Sequence, residues 1–456
     1  MNKEAILNRL KSQFSLERST AKVLVVGLGK TGLSVAYYLC QLNIEFAVVD
    51  SRDKPAFNDE LLEKMPDVPV FTGGFDASLF ELATHIVVSP GISMQEPVIQ
   101  QALSQGVVSL SDIDILACSV NKPIVAITGS NGKSTVTTLL GEMAKADKVK
   151  VATGGNLGTP ALDLISNEIE LYILELSSFQ LERTSQLNAT VGTVLNISED
   201  HLDRYTGMDD YIKQKQNVFA GGGVMVINVD DAEVLKMQKS SREMITFGLN
   251  YPADYHIKET KQGRFLAFKE QEILAVNELR IVGKHNQANA LAALALGKVV
   301  NLSEDAMCYA LKHYKGLKHR MQFVADIKGV RWINDSKATN IGACIAALEA
   351  FEGKKIILIA GGDAKEANMS ELLPSLIEKV QTLLVIGKDA ELIKQAVSDL
   401  IPVIEVGTLK KAVKKAKKIA DVGNIVLLSP ACASIDQFEN YKERGKCFSS
   451  EVRALI

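Results

Sequence analysis

The sequence predicts an α/β protein in three domains, Rossmann-like at the N-terminus, P-loop-type in the centre and Rossmann-like again at the C-terminus. Three observations carry that expectation. Short β-branched apolar runs recur along the chain, most of them ending in glycines or small polar residues, which is the rhythm of open, mainly parallel sheets. Two of these runs lead into glycine-containing turns of phosphate-binding type, Gly27 to Gly32 and Thr128 to Ser134. The length of 456 residues leaves room for about three domains.

Composition narrows the class of protein. Hydrophobic residues make up 47% and charged residues 23%, values of an ordinary globular chain, and no run of eighteen apolar residues is present to span a bilayer. The opening M-N-K-E-A-I-L-N-R-L-K has no apolar core of signal-peptide type, so a cytoplasmic protein without membrane insertion is expected. Six cysteines (Cys40, Cys118, Cys308, Cys344, Cys432, Cys447) form no C-x-x-C pair, which argues against a zinc site or a disulfide framework. Most are expected to be buried as small apolar residues. A net charge of −3 gives no reason to expect nucleic acid as a partner. The basic run Lys410 to Lys418 reads most simply as the solvated face of a helix.

The first domain, 1–111, opens with a short helix and a buried strand, Lys22 to Val26, running into G-L-G-K-T-G. A helix to about Gln41 and a strand Phe46 to Val49 ending at Asp50 complete a dinucleotide-binding fingerprint. NAD is the default ligand of such a turn, but a nucleotide-linked substrate would use the same amides, and the motif does not choose between them. A strand His85 to Val88 then ends in S-P-G, Ser89 to Gly91, at the place where ligands collect in open sheets.

The second domain, 112–316, is organised around Ile124 to Leu140, a strand, a turn and a helix reading I-V-A-I-T-G-S-N-G-K-S-T-V-T-T-L-L. The free N–H groups and positive dipole end of the helix face an anion. Gly129 and Gly132 admit it closely, Lys133 adds a charge, and the Ser134 hydroxyl is placed for a phosphate-bound Mg²⁺. The strict G-x-x-x-x-G-K-[ST] pattern fails at its first position, where Ile127 stands. Downstream, G-G-N (Gly154 to Asn156) forms a turn. An apolar strand, Leu171 to Leu174, delivers Glu175, the expected acidic partner of Mg²⁺ in a P-loop protein, and then S-S-F-Q. A strand from Val191 leads to Glu199, Asp200, His201 and Asp203; residues 250 to 282 alternate like a small β region, and an Ala-rich helix follows from Ala290. The third domain, 317–456, repeats the rhythm: its strands end in N-D-S-K-A-T-N, G-G-D-A-K and S-P-A-C-A-S-I-D-Q-F.

With these residues laid out, the chain resembles the Mur ligases over nearly its whole length. The motifs are T-G-S-N-G-K-S-T (128–135), G-G-N-L-G (154–158), L-E-L-S-S-F-Q-L-E (174–182), E-D-H-L-D-R-Y (199–205), N-D-S-K-A-T-N (334–340) and L-S-P-A-C-A-S-I-D-Q-F (428–438). The D-N-P-R signature of the member that adds a diamino acid is absent. The resemblance implies an ATP-dependent ligase adding D-glutamate to UDP-N-acetylmuramoyl-L-alanine, working as a monomer with ATP, two Mg²⁺ ions and a carbamylated Lys215. It implies that Thr31, Asp50, Arg52, Ser89 and Gly91 meet the uridine diphosphate, with Asn156, Ser177 and Gln180 near the muramoyl arm. Gly129, Asn131, Gly132, Lys133, Ser134, Thr135, Asn286, Asn289, Arg320 and Asp335 are implied to reach ATP. Ser134, Glu175, His201 and Lys215 (as carbamate) are the implied metal ligands, and Lys133, His201 and Lys215 the catalytic groups. Lys337, Thr339, Lys365, Ser434 and Tyr441 are implied to hold D-glutamate. Outside that resemblance, Lys215 reads as a surface lysine on a helix. The main rival, an NAD-dependent dehydrogenase built on the first glycine-rich turn, leaves Lys133, Ser134 and Glu175 without a task.

Overall fold

In a computed structural model, which describes residues 2–200, 204–281, 283–351, 353, 355–364, 368–397 and 400–456, the apolar runs form three sheets. The first contains β1 (Val23–Val26), β2 (Phe46–Asp50), β3 (Val70–Thr72), β4 (His85–Val88) and β5 (Val108–Leu110), all parallel, in the order β3-β2-β1-β4-β5. β1 and β4 are buried along their whole length because helices cover both faces. The strand order reverses between them, so the turns after β1 and β4 open side by side at a switch point.

The second sheet holds β6 (Ile124–Thr128), β7 (Val151–Gly155), β8 (Leu171–Glu175), β9 (Val191–Val194), β10 (Val224–Asn228), β11 (Met244–Phe247), β12 (Tyr255–Thr260), β13 (Gly263–Phe268) and β14 (Gln271–Ala275). Its order is β14-β13-β12-β11-β10-β9-β6-β8-β7. The alternating region expected at 250–282 is an antiparallel meander, β12 to β14, joined in parallel to β11, so it extends this sheet instead of forming one of its own. β6 lies at the centre between β8 and β9, and Ile127 pairs with Glu175, which sets the acidic strand end beside the phosphate loop. The Ala-rich helix starts earlier than its apolar pattern, at Lys284, and its buried Ala and Leu residues pack with Val136, Leu139, Leu140 and Met143 of the helix Lys133–Ala146.

The third sheet contains β15 (Gln322–Ile327), β16 (Val330–Asn334), β17 (Ile356–Gly361), β18 (Val380–Ile386), β19 (Val403–Gly407) and β20 (Ile425–Leu428), in the order β15-β16-β20-β17-β18-β19. β15 runs antiparallel to β16 and the others are parallel. The apolar core of the first domain is continuous with one face of the second: a single cluster runs from Val23 and Leu39 through Ile113 and Leu116 to Leu174 and Phe219. The third sheet has clusters of its own. Among the described residues no helix is long and apolar enough to cross a membrane. Three cysteines are buried, two are half-buried and Cys40 is exposed, so burial accounts for only half of them.

Candidate active site

The helix Lys133–Ala146 begins at Gly132 with no side chain capping its first turn, which leaves its N–H groups facing outward. Gly132 sits at φ 85°, and a Cβ there would meet Asn289 Oδ1 at 2.5 Å, so both the turn and the neighbouring helix demand glycine. Lys133 folds back over the loop, its Nζ donating to the carbonyls of Gly129 at 2.6 Å and Ser130 at 2.9 Å. Asn196, just past β9, braces the loop: its Oδ1 accepts from the Asn131 amide at 2.8 Å and its Nδ2 donates to the Asn131 carbonyl at 3.1 Å.

Two buried groups face this loop. Glu175 is 3% exposed; its Oε1 accepts from Asn156 Nδ2 at 2.7 Å, while its Oε2 is buried with no hydrogen-bond partner among the described residues. Lys215, on the helix Met208–Gln216, is 2% exposed, so it is no surface lysine. Its Nζ donates to the Gly129 carbonyl at 3.0 Å and lies 4.6 Å from the Tyr211 ring centroid. Tyr211 in turn shares a 2.9 Å hydrogen bond with Ser130 Oγ. Burial, then the nearby charge of Lys133, push the Lys215 amine well below its ordinary value, against the pull of Asp200 and Glu175. Burial also lowers Lys133.

The third domain reaches the same place. Arg320 Nη2 donates to Ser134 Oγ at 3.0 Å, and Asn340 Nδ2 approaches Asn131 Oδ1 and Asp200 Oδ2 at 3.5 Å each. Lys337 Nζ stands 4.0 Å from the Tyr441 ring centroid; burial, with Arg320 and Lys133 nearby, lowers its amine to about 8. Asp335 accepts from the Met321 amide and from Ser429 Oγ, yet burial raises its carboxyl to about 7. Between the two domains lies a cavity of about 690 Å³, lined by Gly132, Thr135, Asn286, Asn289, Arg320 and Asp335 among others. Around the loop beside it, Lys133, Arg320 and Lys337 and the carboxylates Glu175 and Asp200 act on one another and on the Lys215 amine, which burial disfavours as a cation, leaving a small excess of positive charge suited to a polyphosphate.

In the first domain Thr31 lies on the first turn of the helix Lys30–Gln41. Gly32 packs against β1's exit so closely that a Cβ would stand 2.0 Å from the Gly27 carbonyl. Asp50 is 1% exposed and fully engaged: Oδ2 accepts from the Leu28 amide and Arg52 Nη2, both at 2.7 Å, and Oδ1 from the amide and Nε of Arg52. Burial would raise this carboxyl, but the Arg52 and Leu28 hydrogen bonds outweigh it and hold the carboxyl below its ordinary value. Asp50 thus braces the glycine-rich turn, and the Arg52 guanidinium beside it is half-exposed. Ser89 Oγ donates to the Gly27 carbonyl at 2.7 Å, with Gly91 in the same turn.

The structure gives other expected groups local partners. Ser177 and Gln180 close a capping box on each other, Asn289 Nδ2 donates to Asn286 Oδ1, the Thr339 amide donates to the Lys337 carbonyl, and Ser434 is buried, its carbonyl accepting from the amides of Gln437 and Phe438. His201, Asp203 and Lys365 lie outside the described residues. Sequence reading passed over Asp200 as a site residue, along with Asn196, Tyr211 and Asn340. For Asp200 the signal was present, a polar run directly after β9; Asn340 is tied to the loop only by the meeting of two domains. Among the described residues no three His, Cys, Asp or Glu side chains gather into a metal cluster. The unpartnered Glu175 Oε2, with the Ser134 hydroxyl close to the phosphate loop, nonetheless provides hard oxygen ligands of the kind Mg²⁺ takes.

Three α/β domains, with a phosphate loop whose serine hydroxyl accepts from an arginine of the third domain and whose lysine feels the charge of an acidic strand end, define a multidomain P-loop-type protein. The chain belongs to the Mur ligase family. Family models match as "Mur ligase MurD-like, N-terminal domain" over 21–111, "Mur ligase middle domain" over 127–297 and "Mur ligase, glutamate ligase domain" over 319–432. A UDP-N-acetylmuramoylalanine--D-glutamate ligase of Methylococcus capsulatus is 49% identical over 437 residues, 95% of each chain. The ligase of the same description from Pseudomonas aeruginosa is 48% identical over 95% of this chain and 98% of its own. In fold the chain is similar to a pseudomurein peptide ligase type C from Methanothermus fervidus (TM-score 0.63, 20% identity, 96% of this chain and 100% of that one). It is also similar to the UDP-N-acetylmuramate-alanine ligase of Thermotoga maritima (TM-score 0.59, 17% identity, 96% and 100%).

Proposed function

We propose that the chain is an ATP-dependent amide ligase that adds D-glutamate to UDP-N-acetylmuramoyl-L-alanine, a step in making peptidoglycan precursors. The observation that carries this reading is the convergence of Lys133, Glu175, Lys215 and Arg320 from two domains around the 129–134 loop, next to a cavity lined by Gly132, Arg320 and Asp335, in a chain 49% identical to a ligase of that description. Residues 1–111 take the uridine diphosphate part, 112–316 the ATP phosphates, and 317–456 D-glutamate while completing the ATP site. The protein works as a cytoplasmic monomer.

Joining a carboxylate to an amine in water requires activation of the carboxylate. The terminal phosphoryl group of ATP passes to the carboxylate oxygen of the alanyl end, giving an acyl phosphate and ADP; the D-glutamate amine then attacks the acyl carbon and phosphate leaves. Such transfers rest on positioning and charge neutralisation. Lys133 and the loop amides hold the triphosphate, and Arg320 stands over Ser134 to meet the charge that develops. Ser134, Glu175, His201 and Lys215 as a carbamate would hold Mg²⁺, two ions in all, which neutralise phosphate charge when bound. The buried Lys215 amine favours that modification, because carbon dioxide adds only to a neutral amine. On this reading Lys337, Thr339, Lys365, Ser434 and Tyr441 hold the incoming amino acid, and His201 takes the amine proton when its ring nitrogen is not bound to an ion. The test is phosphate release from ATP with UDP-N-acetylmuramoyl-L-alanine, tried with D-glutamate, L-alanine and a diamino acid. Release with D-glutamate alone is expected, and none with D-glutamate would sink the reading.

A further inference from the structure

The joint between the first and second domains contains a buried arginine that the ligase reaction as described above leaves without a task. Arg183 follows the short helix Ser178–Leu181, and its side chain is 0% exposed. One arm, Nη1, donates to the Phe179 carbonyl in its own domain. The other, Nη2, crosses to the first domain and donates to the Ile92 carbonyl at 2.8 Å. Nη2 also lies 3.5 Å from Glu182 Oε2, while Nε is buried without an acceptor among the described residues.

Ile92 is no incidental partner. It closes the turn after β4, its amide donating to the Ser89 carbonyl at 3.0 Å. Its side chain packs on Gly27, where an added Cβ would stand 2.9 Å from Ile92 Cγ1. Ser89, in the same turn, donates its hydroxyl to the Gly27 carbonyl. A guanidinium rooted in the second domain thus fixes the height of the Ser89–Ile92 turn over the glycine-rich turn of the first. Immediately beyond Arg183, the amides of Ser185 and Gln186 donate to Asp114 Oδ1 at 2.9 and 2.7 Å, so the backbone that carries Arg183 is itself stapled to the interdomain helix Asp112–Ser119.

We propose that Arg183 is a positioning residue for the UDP-linked substrate, holding the Ser89–Ile92 turn in register with the Gly27–Gly32 turn so that the diphosphate end and the acyl end are seated at the right separation. This rests on the reading of the first domain as the sugar-nucleotide site. A planar fork with two donors aimed at two main-chain carbonyls suits the task, and a lysine in its place spans only one of them.

The test is steady-state kinetics on Arg183→Met, which keeps the apolar stem, and on Arg183→Lys, with UDP titrated calorimetrically into each. Loss of a hydrogen bond from a charged donor predicts a KM for the sugar nucleotide raised about 10-fold in the Met variant, and by less in the Lys variant. UDP affinity should weaken in parallel, with KM for ATP and for D-glutamate unchanged and kcat within about twofold. A fall in kcat with all three KM values unchanged means that Arg183 only stabilises the joint, and overturns the proposal, as does wild-type behaviour. If the Met variant does not fold, the Lys variant decides by the same KM pattern. Failure of the wild-type protein to bind UDP would instead refute the site assignment beneath.

Discussion

Replacing Asn156 by alanine tests whether Glu175 is a metal ligand, because it alters how the carboxylate is held without touching it. The side chain supplies one bond, Nδ2 to Glu175 Oε1 at 2.7 Å, whereas the Asn156 amide keeps its own bond to the Glu175 carbonyl at 2.8 Å and β7 keeps its register with β8. The fold around Glu175 therefore persists. A hydrogen bond to a charged group contributes about 1.5–3 kcal/mol; Asn156 is exposed, so water replaces part of it, leaving about 1–2 kcal/mol, or roughly a tenfold effect or somewhat more. Groups that orient metal ligands typically change metal affinity by about 10–100-fold, so the two estimates meet near tenfold. The assay is initial rate of phosphate release against free Mg²⁺ at fixed, saturating MgATP. The concentration for half-maximal rate should rise about tenfold, with the maximal rate largely recovered at high Mg²⁺. An unchanged Mg²⁺ response alongside a lost rate would show that Asn156 serves the substrate instead and that Glu175 binds no ion.

Lys133→Ala should lower turnover on the order of 10²-fold or more, as removal of one charge-stabilising donor does, and a near-normal rate would remove the loop from the chemistry. Lys215→Ala should lose activity and regain part of it with added short-chain carboxylic acids; full activity without them would exclude the carbamate. Asp335, raised to about 7 by burial, binds its proton more tightly folded than unfolded. Its contribution to stability is therefore complete below about pH 4 and is lost as the pH rises through 7. Asp335→Asn removes that loss, so the fall in Tm between pH 4 and 7 should be shallower than in the wild type, and parallel curves would refute the buried-carboxyl argument.

The three sheets were legible because their inner strands are buried on both faces and so read as unbroken apolar runs, as in β1, β6, β17 and β20. β3, β5 and β19 escaped notice for the converse reason. They are short edge strands, half exposed, and β19 carries Glu405, so nothing in their composition separates them from loop. The phosphate loop and Glu175 could be read locally, since strand, turn and helix are contiguous. Lys215 could not: its helix is polar overall, and its burial follows from the Gly129 carbonyl and Tyr211, neither of which its own sequence window contains. Asp50 was legible as part of a fingerprint, but its engagement with Arg52 two residues on and with the Leu28 amide was not.

If the nucleotide binds as proposed above, the distribution of charge would couple its binding to the seating of the third domain. Arg320 and Lys337 come from that domain and Lys133 from the second; Arg320 lowers the basicity of Lys133, and Lys133 that of Lys337. Like charges brought together away from water repel, and Glu175 and Asp200 offset only part of that repulsion. A triphosphate placed among them would supply the missing negative charge, and so would favour the arrangement seen here, with Arg320 on Ser134, over any in which the two stand apart. By linkage that arrangement would then bind the triphosphate more tightly. On the proposed reading, the cavity wall contributed by Arg320 and Asp335 would be both a part of the nucleotide site and the element that the nucleotide stabilises.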